Sequence, residues 1–130
     1  MLIRDVMTTT VLVVGPTHTL RQVAQQMRSR RVGAAVVLDP EADGPGILTE
    51  RDVLHAVASS QDLDVELAAD HLTPDAVVGT PAWDLDQAAA AMLAGGFRHL
   101  VICDDDDVVG VLSVRDIVGV WSRARATAGV

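Results

Sequence analysis

Apolar positions along this chain fall into two spacings. In "TLRQVAQQM" (residues 19–27), Leu20, Val23, Ala24 and Met27 stand at i, i+3, i+4 and i+7, the single apolar face of an amphipathic helix. "DLDQAAAAM" (residues 84–92) repeats the spacing with Leu85, Ala88, Ala89 and Met92. Short aliphatic runs bounded by Gly, Pro and Asp read instead as strands. The pattern predicts an extended segment over 11–14, a helix over 20–30 that stops at 31–33, strands over 35–38 and 46–48, and a helix over 50–59. It then predicts the same order again: extended 76–78, helix 85–94 stopping at Gly95-Gly96, strands 100–103 and 109–112, helix 114–125. The apolar faces of the last helix of each set are Val53, Leu54, Val57 and Ile117, Val118, Trp121. Residues 61–69 join the sets and are expected to form a short helical turn.

The recurrence extends to the residues themselves, as an internal repeat would. At an offset of 65, "DVMT" (residues 5–8) matches "DHLT" (70–73), Val13 matches Val78, and "AAVVLD" (34–39) matches "HLVICD" (99–104). The offset then falls to 64, pairing "GILTERD" (46–52) with "GVLSVRD" (110–116). The lost residue falls in the intervening loops, where length changes are tolerated. We therefore expect repeat 1 over 1–60, a linker over 61–69, repeat 2 over 70–126 and a tail over 127–130. A β-α-β-β-α half of about 50 residues is too small to bury its own sheet well, so the fold class is α+β, with two such repeats packed about a pseudo-twofold axis.

Composition narrows what such a fold can do. The 130 residues are 49% hydrophobic but only 2% aromatic, so the core is aliphatic. A net charge of −8 opposes nucleic-acid binding, which needs a basic face, and docking on an anionic membrane. No apolar run approaches the ~18 residues of a membrane span, the N-terminus lacks a signal-peptide core, and the single cysteine permits no intramolecular disulfide. These features together lead us to expect a cytoplasmic protein.

The chemistry lies in the block Gly-h-h-Thr/Ser-x-x-Asp, where h is aliphatic. Thr49 with Asp52, and Ser113 with Asp116, are spaced as capping boxes that satisfy the free amides of a helix start. They are equally suited to holding a ligand, and the two roles are compatible. The doubled β-α-β-β-α pattern, with "DVMT" ahead of the first strand and this block ahead of the last helix, resembles a tandem pair of CBS domains (cystathionine β-synthase domains) over residues 4–123. The resemblance implies clefts between repeats that bind AMP, ADP, ATP or S-adenosylmethionine, no required cofactor, and regulation of a partner protein in trans, commonly as a homodimer. By the same resemblance Asp116 and Asp52 hold ribose hydroxyls, Ser113 and Thr49 contact phosphate or ribose, and Val111 and Ile47 flank adenine. A vicinal diol offers two donors to one carboxylate, and the hydroxyl residue sits at a helix N-terminus that favours an anion.

Carried over in the same way, the Asp116 cleft takes Thr10, Val11, Val32, Gly33 and Ala34 as walls and Arg98 and His99 as basic groups. The Asp52 cleft takes Asp75, Ala76, Phe97 and Arg98. The repeats differ here, because Arg98-His99 corresponds to Gly33-Ala34, and Asp75 adds an acid at the rim of the Asp52 cleft. Asp116 is the better expected phosphate site and Asp52 the weaker.

Other features carry blander readings. His18, His55, His71 and His99 lack metal-ligand spacing, "DDDD" (104–107) reads as a solvated hairpin tip, and Cys103 as an inert core thiol. Arg28, Arg30 and Arg31 gather at a helix end, suiting the helix dipole first and a phosphate or partner second. No nucleophile elbow, phosphate loop or dinucleotide fingerprint is present, so we expect no enzyme. The competing expectations are a ligand-free dimerisation and interaction module, and a metal-binding protein.

Overall fold

A computed structural model describes residues 1–74 and 76–127. The elements run β1 (Val13–Val14), α1 (Leu20–Arg30), β2 (Ala34–Val37), β3 (Gly46–Thr49), α2 (Glu50–Ala58), then β4 (Val78–Gly79), α3 (Leu85–Gly95), β5 (His99–Asp104), β6 (Asp107–Ser113) and α4 (Val114–Thr127). This is an α+β fold in which each set is a three-stranded sheet with two helices. In each sheet the first strand runs parallel to the second and the second antiparallel to the third, with Val13 opposite Val36, Val36 opposite Ile47, Val78 opposite Val101, and Val101 opposite Val111.

Local chemistry explains the helix bounds. Thr19 and Asp84 each accept from the backbone amide of Gln22 and Gln87, and each glutamine side chain accepts from the cap's own amide, which is a complete capping box. Both first helices end in a left-handed residue. In α3 this is Gly96, at φ +68, as glycine suits. In α1 it is Arg31, at φ 56, at the start of the expected stop over 31–33. The residues expected to face inward on α2 and α4 divide. Ile117 is buried and Val53 half-buried, whereas Leu54, Val57, Val118 and Trp121 are more than half exposed, and α2 buries Ala56 instead.

The chain forms two compact units that cut across the repeats. One is Val11–Ala76, with a core of Leu12, Leu20, Val23, Leu48 and their neighbours. Residues 61–73 are built into it. Leu63, Ala68 and Leu72 join the core, and the start of α1 donates from Leu20 and Arg21 to the carbonyls of Glu66 and Leu63. Arg21 also pairs with Asp64, and His71 lies 2.9 Å from Glu66. The expected helical turn here is a 3₁₀ turn at Ala68–Asp70.

The other unit combines Met1–Thr10 with the chain from Val77 onward. Ile3, fully buried, sits in one core with Leu85, Leu100, Ile102 and Leu112, and its amide donates to the Trp83 carbonyl at 2.8 Å. Among the described residues no helix is long and apolar enough to cross a membrane.

Candidate functional site

In each unit the third strand passes directly into the last helix, Thr49 into Glu50 and Ser113 into Val114. The Asp three residues on is drawn back to the junction. Asp52 Oδ2 accepts from the Thr49 amide at 2.8 Å, and Asp116 Oδ2 accepts from the Ser113 amide at 2.9 Å. The hydroxyls then part ways. Ser113 Oγ accepts from the Asp116 amide at 3.2 Å, completing the reciprocal cap. Thr49 Oγ1 instead donates to Asp52 Oδ2, also at 3.2 Å. Both aspartates are half-buried, and the cap uses Oδ2 of each rather than Oδ1. Capping therefore fixes the carboxylates through one oxygen each.

The opening glycine of each block answers to a close approach. A Cβ on Gly110 would stand 2.7 Å from Met7 Sδ and 3.0 Å from the Thr8 carbonyl oxygen. One on Gly46 would meet Leu72 at 2.9 Å and the Thr73 carbonyl at 3.4 Å. These neighbours belong to the other repeated block, "DVMT" and "DHLT". Thr8 exchanges both backbone hydrogen bonds with Val111 at 3.0 Å, and Thr73 exchanges both with Ile47 at 2.9 and 3.1 Å. Each segment thus crosses the strand that leads into the other repeat's Thr/Ser–Asp junction. Thr8 and Thr73 were missed as neighbours of the site, although the recurrence of their block was the signal available.

The basic groups are distributed as unequally as the sequence suggested. His99 is registered opposite Ser113, and the Arg98 carbonyl accepts from the first amide of α4 at 2.9 Å. The Arg98 side chain is exposed and His99 half-buried. At the other junction Ala34 faces Thr49, and the Gly33 carbonyl accepts from Glu50 at 3.1 Å. One unit therefore brings together Asp116, Ser113, Val111, Arg98 and His99, with exposed Thr10 at the end of its N-terminal segment. The other gathers Asp52, Thr49 and Ile47, together with Gly33 and Ala34, and also contains Val11, Val32 and Ala76. Phe97 packs on the core that holds Leu100 and Met92, in the unit of Asp116. Asp75 lies outside the described residues.

Among the described residues no group of three or more His, Cys, Asp or Glu is arranged to hold a metal ion. Cys103 is buried. Burial pushes its thiol up from the ordinary range, and the nearby charges of Asp106 and Asp107 push in the same direction.

With this geometry in hand, comparison with known proteins is decisive. The CBS domain model matches twice, over residues 3–59 and 68–123. The chain belongs to the CBS-domain family. The CBS domain-containing protein YhcV of Bacillus subtilis is 30% identical over 88% of this chain and 81% of its own. Among solved structures, the CBS domain protein PAE2072 of Pyrobaculum aerophilum, complexed with AMP, superposes with a TM-score of 0.81 at 29% identity, over 89% of each chain. The CBS domain pair of MJ0100, in complex with 5-methylthioadenosine and S-adenosyl-L-methionine, has a TM-score of 0.86 over 95% of this chain and 98% of that one. At 17% identity that likeness speaks to the CBS fold alone. Three further relatives are longer, the chain spanning 70%, 41% and 61% of them.

Proposed function

We propose that this CBS pair is a sensor that binds an adenosine-containing ligand and thereby controls a partner protein in trans. The observation that carries the reading is the junction at α4. A half-buried carboxylate, Asp116, is fixed through Oδ2 at 2.9 Å from the Ser113 amide, with His99 registered opposite Ser113 and the Arg98 carbonyl bonded to the first amide of α4. A fixed carboxylate accepts a ribose diol without first paying to become ordered, and the helix start and guanidinium favour a phosphate. The AMP complex of PAE2072, at 29% identity, supports an adenine nucleotide as ligand. CBS-domain proteins are generally regulatory rather than catalytic, and ligand binding regulates by stabilising one of two populated arrangements. In this reading Asp52 and Thr49 form the weaker site, since glycine and alanine stand where Arg98 and His99 would be.

The test is a thermal-shift and calorimetry series with AMP, ADP, ATP, NAD and S-adenosylmethionine. At least one adenosine compound is expected to raise Tm, and Asp116→Ala is expected to weaken its binding about tenfold or more, the equivalent of one charge-assisted hydrogen bond. Affinity unchanged in Asp116→Ala would overturn the assignment.

A second reading, a ligand-free interaction module, is favoured by the exposed apolar residues Leu54 and Val57 on α2 and Val118 and Trp121 on α4. Faces of this kind mark association, and homodimerisation through them is part of both readings. The second alone predicts that no compound in the series shifts Tm.

A further inference from the structure

The two CBS repeats differ most sharply in charge at one corner. Residues 28, 30 and 31 are all arginine and all exposed at the end of α1, where the second repeat has Leu93, Gly95 and Gly96. Arg51, also exposed and matched by Arg115 in the second repeat, is the second residue of α2, whose first amide is hydrogen-bonded to the Gly33 carbonyl two residues beyond Arg31. Four of the ten cationic residues of a chain with net charge −8 thus lie on two adjoining helix ends.

Local structure accounts for Arg28 and Arg30, which complement the negative end of α1. It does not account for the other two. Arg31 holds φ 56, a conformation that is strained for a bulky side chain and that Gly96 supplies freely in the second repeat. Arg51 sits at the positive end of α2, against the dipole. Among the described residues none of the four is ion-paired.

The complementary feature is the tip of the β5–β6 hairpin. Asp104 and Asp107 face each other across the ladder, a like-charge pairing that weakens a sheet. Between them Asp105 holds φ 54, and all four aspartates are exposed. Asp106 and Asp107 add to burial in raising the Cys103 thiol. β5 and β6 are six and seven residues long against four each for β2 and β3, so this tip stands roughly 7 Å further out than a four-residue hairpin would.

We propose that the arginine corner receives the acidic hairpin tip of a second copy of this chain. Each surface is unfavourable by itself and is relieved by the other. A compact acidic tip also suits the corner better than nucleic acid does, since a long polyanion would have to meet the remaining charge of the protein. The contact is separate from the apolar faces of α2 and α4, does not depend on the adenosine site, and is screened by salt.

Sedimentation velocity of the full chain tests it, from about 0.1 M to about 1 M NaCl, where the screening length falls from ~10 Å to ~3 Å. The wild type is expected to form a larger species at low salt that is lost at high salt. Charge reversal at the corner (Arg28→Glu with Arg51→Glu) or at the tip (Asp105→Lys with Asp106→Lys) is expected to weaken that association at least about tenfold, whereas mixing the two variants restores it. Circular dichroism of each variant separates this from misfolding. Absence of a salt-sensitive species in the wild type, or no restoration on mixing, would overturn the proposal. So would loss of association on neutralising Asp39, Glu41 and Asp43 rather than the tip. Binding of a single-stranded RNA probe that depends on Arg28 and Arg51 would overturn it in favour of a nucleic-acid surface.

Discussion

Gly46 and Gly110 open the same motif, yet their neighbours give them different tolerance. A Cβ at Gly110 meets Met7 Sδ and the Thr8 backbone oxygen at 2.7 and 3.0 Å, while at Gly46 the tight contacts are to the flexible end of Leu72. Backbone yields less readily than a leucine methyl. Gly110→Ala is therefore expected to cost about 1–3 kcal/mol by overpacking, and Gly46→Ala less, read as the difference in urea midpoint at constant slope. Equal losses would show that the Thr8 carbonyl can move aside. Cys103 behaves differently because its surroundings act on charge. Its thiol is raised by burial first and by Asp106 and Asp107 second, so it should react slowly with iodoacetamide at pH 8, the thiolate being the nucleophile. Asp106→Asn with Asp107→Asn should lower the pH at which reaction accelerates while leaving it above that of an exposed thiol. The sign for stability follows. The folded thiol keeps its proton when the unfolded one has lost it, so this contribution is present below the ordinary thiol pKa of about 8.5 and is lost as pH rises through the raised value.

Whole elements were the most legible part of the sequence, because period and punctuation agree there. α1 begins and ends where Leu20 and Arg30 predicted, since its apolar stripe, its Thr19–Gln22 box and its last basic turn all point to the same bounds. The first strand of each set was read long, and β3, β5 and β6 were read short. β6 starts at Asp107, because an antiparallel ladder continues through polar residues as long as backbone partners exist, and four aspartates gave no apolar signal of it. The left-handed turn at Arg31 was hidden for a similar reason: glycine is the cue for that conformation, and it sat two residues further on. For the site, the doubled Thr/Ser–Asp spacing marked two helix junctions, at Thr49–Glu50 and Ser113–Val114, and Arg98 and His99 lie on the strand beside the second. The crossing of Thr8 over Val111 and Thr73 over Ile47 could not be read, since a single backbone bridge leaves no periodicity in either segment.

At the scale of the molecule, the units follow neither the order of the repeats nor their sequence boundaries, and this has a consequence for folding. Residues 1–10 serve the second core, where Ile3 is fully buried beside Leu100 and Ile102, and they close it with hydrogen bonds to Pro81, Trp83 and Val111. Residues 61–73 serve the first core through Leu63, Ala68 and Leu72. Units of this size bury only about 60% of their unfolded surface and are marginal, so loss of a buried isoleucine with its hydrogen bonds takes a large share of the stability available. A fragment of residues 11–76 is therefore expected to fold, showing a cooperative thermal transition, whereas 1–60, which matches the repeat but lacks the segment under α1, is not. Deleting residues 1–10 from the whole chain is expected to destabilise the unit built on Val77 onward by about 2–5 kcal/mol, the range for emptying a core position, and to leave the protection of Leu20, Val23 and Leu48 amides against hydrogen exchange nearly unchanged. Adding the decapeptide "MLIRDVMTTT" in trans should restore protection at Leu100, Val101 and Leu112, with Ile3→Ala in the peptide abolishing the rescue. Uniform loss of protection across both cores would mean that the two units fold as one.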